Sequence, residues 1–232
     1  MAFAAPYGLN IDGWQSAATD QRLDSLQELE NAAANDEGRP PCEVHLDPNS
    51  DLHPSLLGSW NKGEISINAE CLNNPEPYEA VETIFHESRH AHQEYVISHP
   101  ELAGESGTLQ EWSENIHGGY LSPHKDGFSS YRFQPIEADA NTAARERTDN
   151  LYSDHFEDEQ YAAYRNDVES REALYRVRAE AELGPHYEEM ARERMHEAYE
   201  DSQNLSQKAS LDASNHSEGE DEDRNQGYGL IY

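Results

Sequence analysis

The chain has 232 residues, 47 acidic against 16 basic, and a formal net charge of −31. That balance argues against nucleic-acid phosphates or anionic lipid as direct partners, because like charges repel before contact forms. It suits a basic protein partner, a high-salt milieu or mimicry of nucleic acid, although 31 Glu against 16 Asp weakens the high-salt reading.

No run approaches the roughly 18 apolar residues of a membrane span, and the length is enough for one domain with a sizeable core. The opening MAFAAPYGLNIDGW has neither the basic n-region nor the apolar stretch of a secretory leader. A cytoplasmic protein is therefore expected. Its two cysteines, Cys42 and Cys71, are too few for a disulfide framework and are expected as reduced thiols.

In chain order, residues 16–34 predict a helix, with Leu23, Leu26 and Leu29 on one face; NDEGRPP ends it. CEVHLDP turns Val44 and Leu46 inward as a strand would, and GEISINAECL does the same with Ile65 and Ile67. The two are expected to pair as an antiparallel hairpin, leaving Cys42 and Cys71 able to face each other. A helix then starts after NNPEP, with Glu76 and Glu79 at the positive end of its dipole, and ends by Pro100. Residues 100–131, rich in Gly, Ser and His, read as a long irregular segment of functional type. Pro135 opens a further helix that buries Ile136, Ala140, Ala143 and Leu151. Two more helices follow, split by Gly184-Pro185. Tyr161, Tyr164, Val168, Leu174 and Tyr175 line the first, and Met190, Met195 and Tyr199 the second. The expected organisation is an N-terminal helical segment (1–38), a core (39–152), C-terminal helices packed on it (153–201) and an acidic disordered tail (202–232).

The chemistry concentrates in His86-Glu87-Ser88-Arg89-His90, an H-E-x-x-H pattern on the fourth of these elements, the helix after NNPEP. Chance predicts only about 0.08 such patterns in a chain of this composition. Two imidazoles four residues apart leave a helix on one face and can reach one ion. Glu87 beside them is placed to take a proton from a metal-activated water, as base rather than ligand. A hydrolytic zinc site needs a third protein ligand and one open position. A His six residues after His90 would supply it in one class, but that position is Val96. Glu137, opening the QPIEADANTAA helix, fits as third ligand, with Asn141 one turn on able to hydrogen-bond a ligand. Asp139 competes for either role.

H-E-x-x-H followed by a helical E-x-D-A-x-x-A resembles the gluzincin branch of zinc metallopeptidases. HESRHAHQ with YRFQPIEADA is similar to small bacterial zincin-like domains of polymorphic toxins and effectors, and to the ImmA/IrrE regulatory peptidases. The charged Arg89 departs from that pattern; Glu82, Glu94 or substrate are its expected partners. The resemblance, over roughly residues 40–150, implies an α+β zincin-like fold, with a small antiparallel sheet packed on the motif helix and on a third-ligand helix. An edge strand beside the cleft would hold peptide by strand addition. It also implies a His or Tyr donor to the oxyanion. His117, Tyr120, His124 and Tyr131 are candidates, with Tyr131 and His117 first.

The function implied is a zinc-dependent endopeptidase of effector or toxin type. His86, His90 and Glu137 hold Zn2+, Glu87 is the base, and the substrate is a protein. The setting is a cytosol, the producer's own or a target cell's after specialised delivery, with an immunity protein or secretion partner. A regulatory peptidase cleaving a repressor is the enzyme alternative, and a non-catalytic acidic binding module the alternative from another class.

Overall fold

The computed structural model describes residues 8–47, 56–102 and 107–216. The chain forms two compact units, each from two stretches of sequence: Met1–Gly104 with Ala138–Arg176, and Glu105–Glu137 with Val177–Tyr232. The architecture is α+β and mostly helical, and no described helix is long and apolar enough to cross a membrane.

In the first unit α1 (Ile11–Ser16) and α2 (Thr19–Glu37) precede the sheet. Leu26, Leu29 and Ala33 of α2 are buried in a core shared with Trp14, Ile65, Ile67, Leu72 and Val81. Each large apolar side chain taken from water contributes about 1.5–3 kcal/mol, so α2 belongs to this core. The sheet has β1 (Glu43–Leu46), β2 (Gly58–Asn61) and β3 (Glu64–Ile67) in the order β1-β3-β2.

The expected antiparallel hairpin is corrected here. β1 and β3 run parallel, with Val44 opposite Ile65 and Leu46 opposite Ile67. The antiparallel partner of β3 is β2, joined to it through Lys62 and Gly63 at φ +48° and +91°. Two positive φ values make the two-residue hairpin turn whose twist matches the strands, and glycine takes that conformation without strain. Alternation in the sequence reports which face is buried and not strand direction, hence the misreading. The outer edge of β1 is covered by Gln27 of α2, which donates to the Cys42 carbonyl and accepts from the Val44 amide, both at 2.8 Å.

After α3 (Ala69–Leu72) comes the motif helix α4 (Tyr78–Ser98), packed on α2 and on β2 and β3. A 3-10 turn (Pro100–Leu102) closes this stretch. Tyr78 of α4 meets Tyr152 edge-on at 5.1 Å and Tyr164 at 5.7 Å, all three buried. Cys42 and Cys71 are buried free thiols; burial pushes the Cys42 thiol up to about 11 and the Cys71 thiol up to about 12.

The second unit fills much of the segment expected to be irregular. It holds α5 (Gly107–Glu114), a π-turn (Asn115–Gly119) and α6 (Phe128–Phe133). Then come α7 (Pro135–His155), α8 (Asp158–Leu183) and α9 (Tyr187–His216). The unit boundaries fall inside α7 and α8. The HGGY stretch is shaped by α9: a Cβ on Gly118 would strike the Ser202 side chain, and one on Gly119 would lie 2.8 Å from the Met195 carbonyl. Ordered helix continues past residue 202 to His216, against the expected tail; 217–232 lie outside the described residues. Leu174, expected to be buried, is 69% exposed.

Candidate metal centre

His86 and His90 leave α4 one turn apart, with their Nε2 atoms 3.0 Å from each other. Glu137 sits in the first turn of α7, fully buried. The ligand atoms of His86, His90 and Glu137 all lie within 4.8 Å of one another. The unit boundary cuts α7 just after Glu137, and the rest of that helix lies in the first unit with α4. Residue 139, two positions on, ties the two helices directly.

That tie explains the charged residue inside the motif. Arg89 forks onto Asp139, with Nε 2.7 Å from Oδ2 and one terminal nitrogen 3.2 Å from Oδ1. Glu82, one of its expected partners, is bound instead by Arg171 at 2.6 Å. Asp139 Oδ2 also accepts from Gln93 Nε2 at 2.7 Å, and Gln93 Oε1 lies 2.8 Å from His90 Nδ1. Of the two roles open to Asp139, it is not grouped with His86, His90 and Glu137, and it reaches His90 through Gln93.

A second network anchors α4 from behind. Arg39, 6% exposed, forks onto the fully buried Glu30 at 2.8 and 3.0 Å and donates to Ser88 Oγ at 2.6 Å and to the Ser88 carbonyl at 3.1 Å. Ser88 lies between Glu87 and Arg89, so Arg39, seated on Glu30 of α2, holds the motif by both side chain and backbone. Glu37 accepts from Arg39 at 2.8 Å and Arg147 at 3.0 Å. Burial raises its carboxyl above the usual range, against these arginines. His92, off the ligand face as expected, lies 4.0 Å from Glu37. Burial first, and then Arg89, Arg39 and Arg147, push its imidazole down to about 4.

On the other side the second unit fixes the start of α7. Gln134 accepts from Asn115 at 2.7 Å and from the Leu121 amide at 2.8 Å, and donates to the Leu121 carbonyl at 3.0 Å. Asn115 Oδ1 accepts from the Ile136 amide at 3.1 Å, satisfying one of the helix-start donors. Tyr120 donates its hydroxyl to Glu137 Oε1 at 3.0 Å.

Of the four aromatic donors named from sequence, Tyr120 is therefore seated on the cluster. Tyr131, ranked first, packs beside it, with its ring 6.2 Å from that of Tyr120. His117, also ranked first, is exposed with Nδ1 2.8 Å from the Ser113 carbonyl. His124 is exposed as well. Gln93 was not singled out from sequence, although its place three residues after His90 was a usable signal, because i and i+3 share a helix face. Glu87 is 6% exposed on α4 beside the two imidazoles. Comparison with protein-family models, with curated proteins and with solved structures finds no match for this chain.

Proposed function

We propose that His86, His90 and Glu137 hold a zinc ion and that the chain hydrolyses a peptide bond in a protein substrate. The observation that carries this reading is the convergence of three ligand atoms within 4.8 Å, in a donor set of two imidazoles and a carboxylate. Tetrahedral zinc with ligands at ~2.0–2.1 Å separates neighbouring donors by about 3.3 Å. The two Nε2 atoms, at 3.0 Å, are close to that spacing. Three protein ligands leave the fourth position open, as a hydrolytic rather than a structural site requires.

When bound, the ion supplies a Lewis acid that makes water nucleophilic near neutral pH. Glu87 accepts the proton of the attacking water and returns it to the leaving amine. Its burial keeps that carboxylate oriented. Tyr120 is the donor we assign to the charge developing on the carbonyl oxygen, once its hydroxyl proton turns from Glu137 to that oxygen. The substrate strand is proposed to pair with β2, at one edge of the sheet and packed on α4. We place the reaction in a cytosol, as an effector-type protease acting on a target-cell protein.

The test uses the full chain. Metal analysis should return about one zinc per chain. Glu87→Gln should keep the metal and lower turnover by about 10²–10⁴-fold. A comparison of cleaved proteins in cells expressing wild type and Glu87→Gln then identifies the substrate. Cleavage products that persist unchanged in the Glu87→Gln cells would overturn the proposal.

A further inference from the structure

We infer that Gln93 is a positioning residue that locks His90 in the tautomer able to bind metal, a reading that rests on the zinc site proposed above. The chain of donors and acceptors runs one way. Asp139 takes two hydrogen bonds from Arg89, which can only donate, so both of its oxygens act as acceptors there. Gln93 must therefore turn its amide nitrogen toward Asp139, 2.7 Å away. Its amide oxygen is then left facing His90 Nδ1 at 2.8 Å, and an oxygen there only accepts. His90 must donate from Nδ1. The proton is kept off Nε2, whose lone pair points into the cluster, 3.0 Å from His86 Nε2.

Gln93 is fully buried, so no water competes for either end of its amide. The lock begins at Arg89, inside the H-E-x-x-H pattern, and returns to it at His90. Asp139 lies only two residues from Glu137. One carboxylate on α7 thus sets both the seating of that helix and the tautomer of a ligand on α4. Partners of this kind orient ligating histidines, and their loss usually lowers metal affinity about 10–100-fold.

Three proteins test this: wild type, Gln93→Leu, and the double substitution Gln93→Glu with Asp139→Asn. Leucine keeps the volume and removes the lock. The double substitution restores an acceptor for His90 and a donor beside it, with the charge moved. Zinc affinity is read by competition with a chromophoric chelator. The His90 tautomer is read separately, by nitrogen-15 NMR of metal-free protein at about pH 8.5, above the usual imidazole range. We expect Nδ1–H in wild type and a mixture in Gln93→Leu, with zinc affinity falling at least tenfold and recovering in the double variant. Wild-type His90 protonated at Nε2, or Gln93→Leu binding zinc as wild type does, overturns the inference. If wild type binds no zinc, the metal reading itself fails, while the tautomer measurement still decides the lock.

Discussion

The arginines around α4 and two exposed arginines of α8 meet carboxylates in opposite settings. Arg39 and Glu30 are 1% and 0% exposed as side chains, joined by a two-pronged bond and further tied to Ser88. Arg165 with Glu169 and Arg178 with Glu182 are i,i+4 pairs on one helix, and every partner is more than a third exposed. A buried pair has given up its hydration, so losing one member strands a charge. An exposed pair keeps its water and is screened by salt. In so acidic a chain, Arg39 and Arg89 serve to hold the motif helix.

The largest effect that would break this contrast is Arg39→Ala. It should cost about 3–5 kcal/mol, because Glu30 is left buried without its fork, and chemical denaturation reads it directly. A loss below about 1 kcal/mol would put Arg39 in the same class as the surface pairs.

A middle effect is pH-dependent. His92 in the folded state sits at about 4, below the roughly 6.5 of an unfolded chain. Its neutral form is favoured by folding, so its contribution is present above about pH 6.5 and is lost as pH falls through 4. The loss should be about 3 kcal/mol. Glu37 runs with the opposite sign, because its raised carboxyl takes up a proton more readily when folded. Comparing wild type with His92→Gln across this window isolates the histidine. Parallel stability curves for the two proteins would remove it as a source of acid sensitivity.

The smallest effect is Arg165→Ala. Its unfolding midpoint should match wild type at high salt and differ little at low salt, since the pair with Glu169 is solvated. A clear shift that persists in high salt would erase the distinction between the two settings.

Much of the helical framework was legible because its signals are local. Leu23, Leu26 and Leu29 mark α2, Pro135 opens α7, and Gly184-Pro185 separates α8 from α9. His86 and His90 were legible for the same reason, since four residues of helix fix their relation whatever surrounds them. Glu137 was reached from its place at a helix start. What the sequence left hidden is relational. β2 has only four residues, with Trp60 as its one large apolar side chain, too short for an alternating pattern. The parallel pairing of β1 with β3 depends on the chain's path between them. Gln93 looks like an ordinary helix-surface residue until α7 lies on α4, and Asp139, named as a candidate, had no role fixed until Arg89 and Gln93 were seen to meet it. Tyr120 was named but ranked behind Tyr131 and His117, because the glycines before it are shaped by α9, some 80 residues away in sequence.

The two interleaved units carry a consequence for biosynthesis. The first takes its closing stretch from residues up to Arg176, and the second needs α9 from the end of the described chain. Neither can be completed early on the ribosome, although domains made of contiguous sequence commonly fold as they emerge. The nascent polypeptide carries its motif helix α4 without Glu137 and α7 until those residues are made. The first half closes only once Arg176 has emerged, and the second only once α9 has.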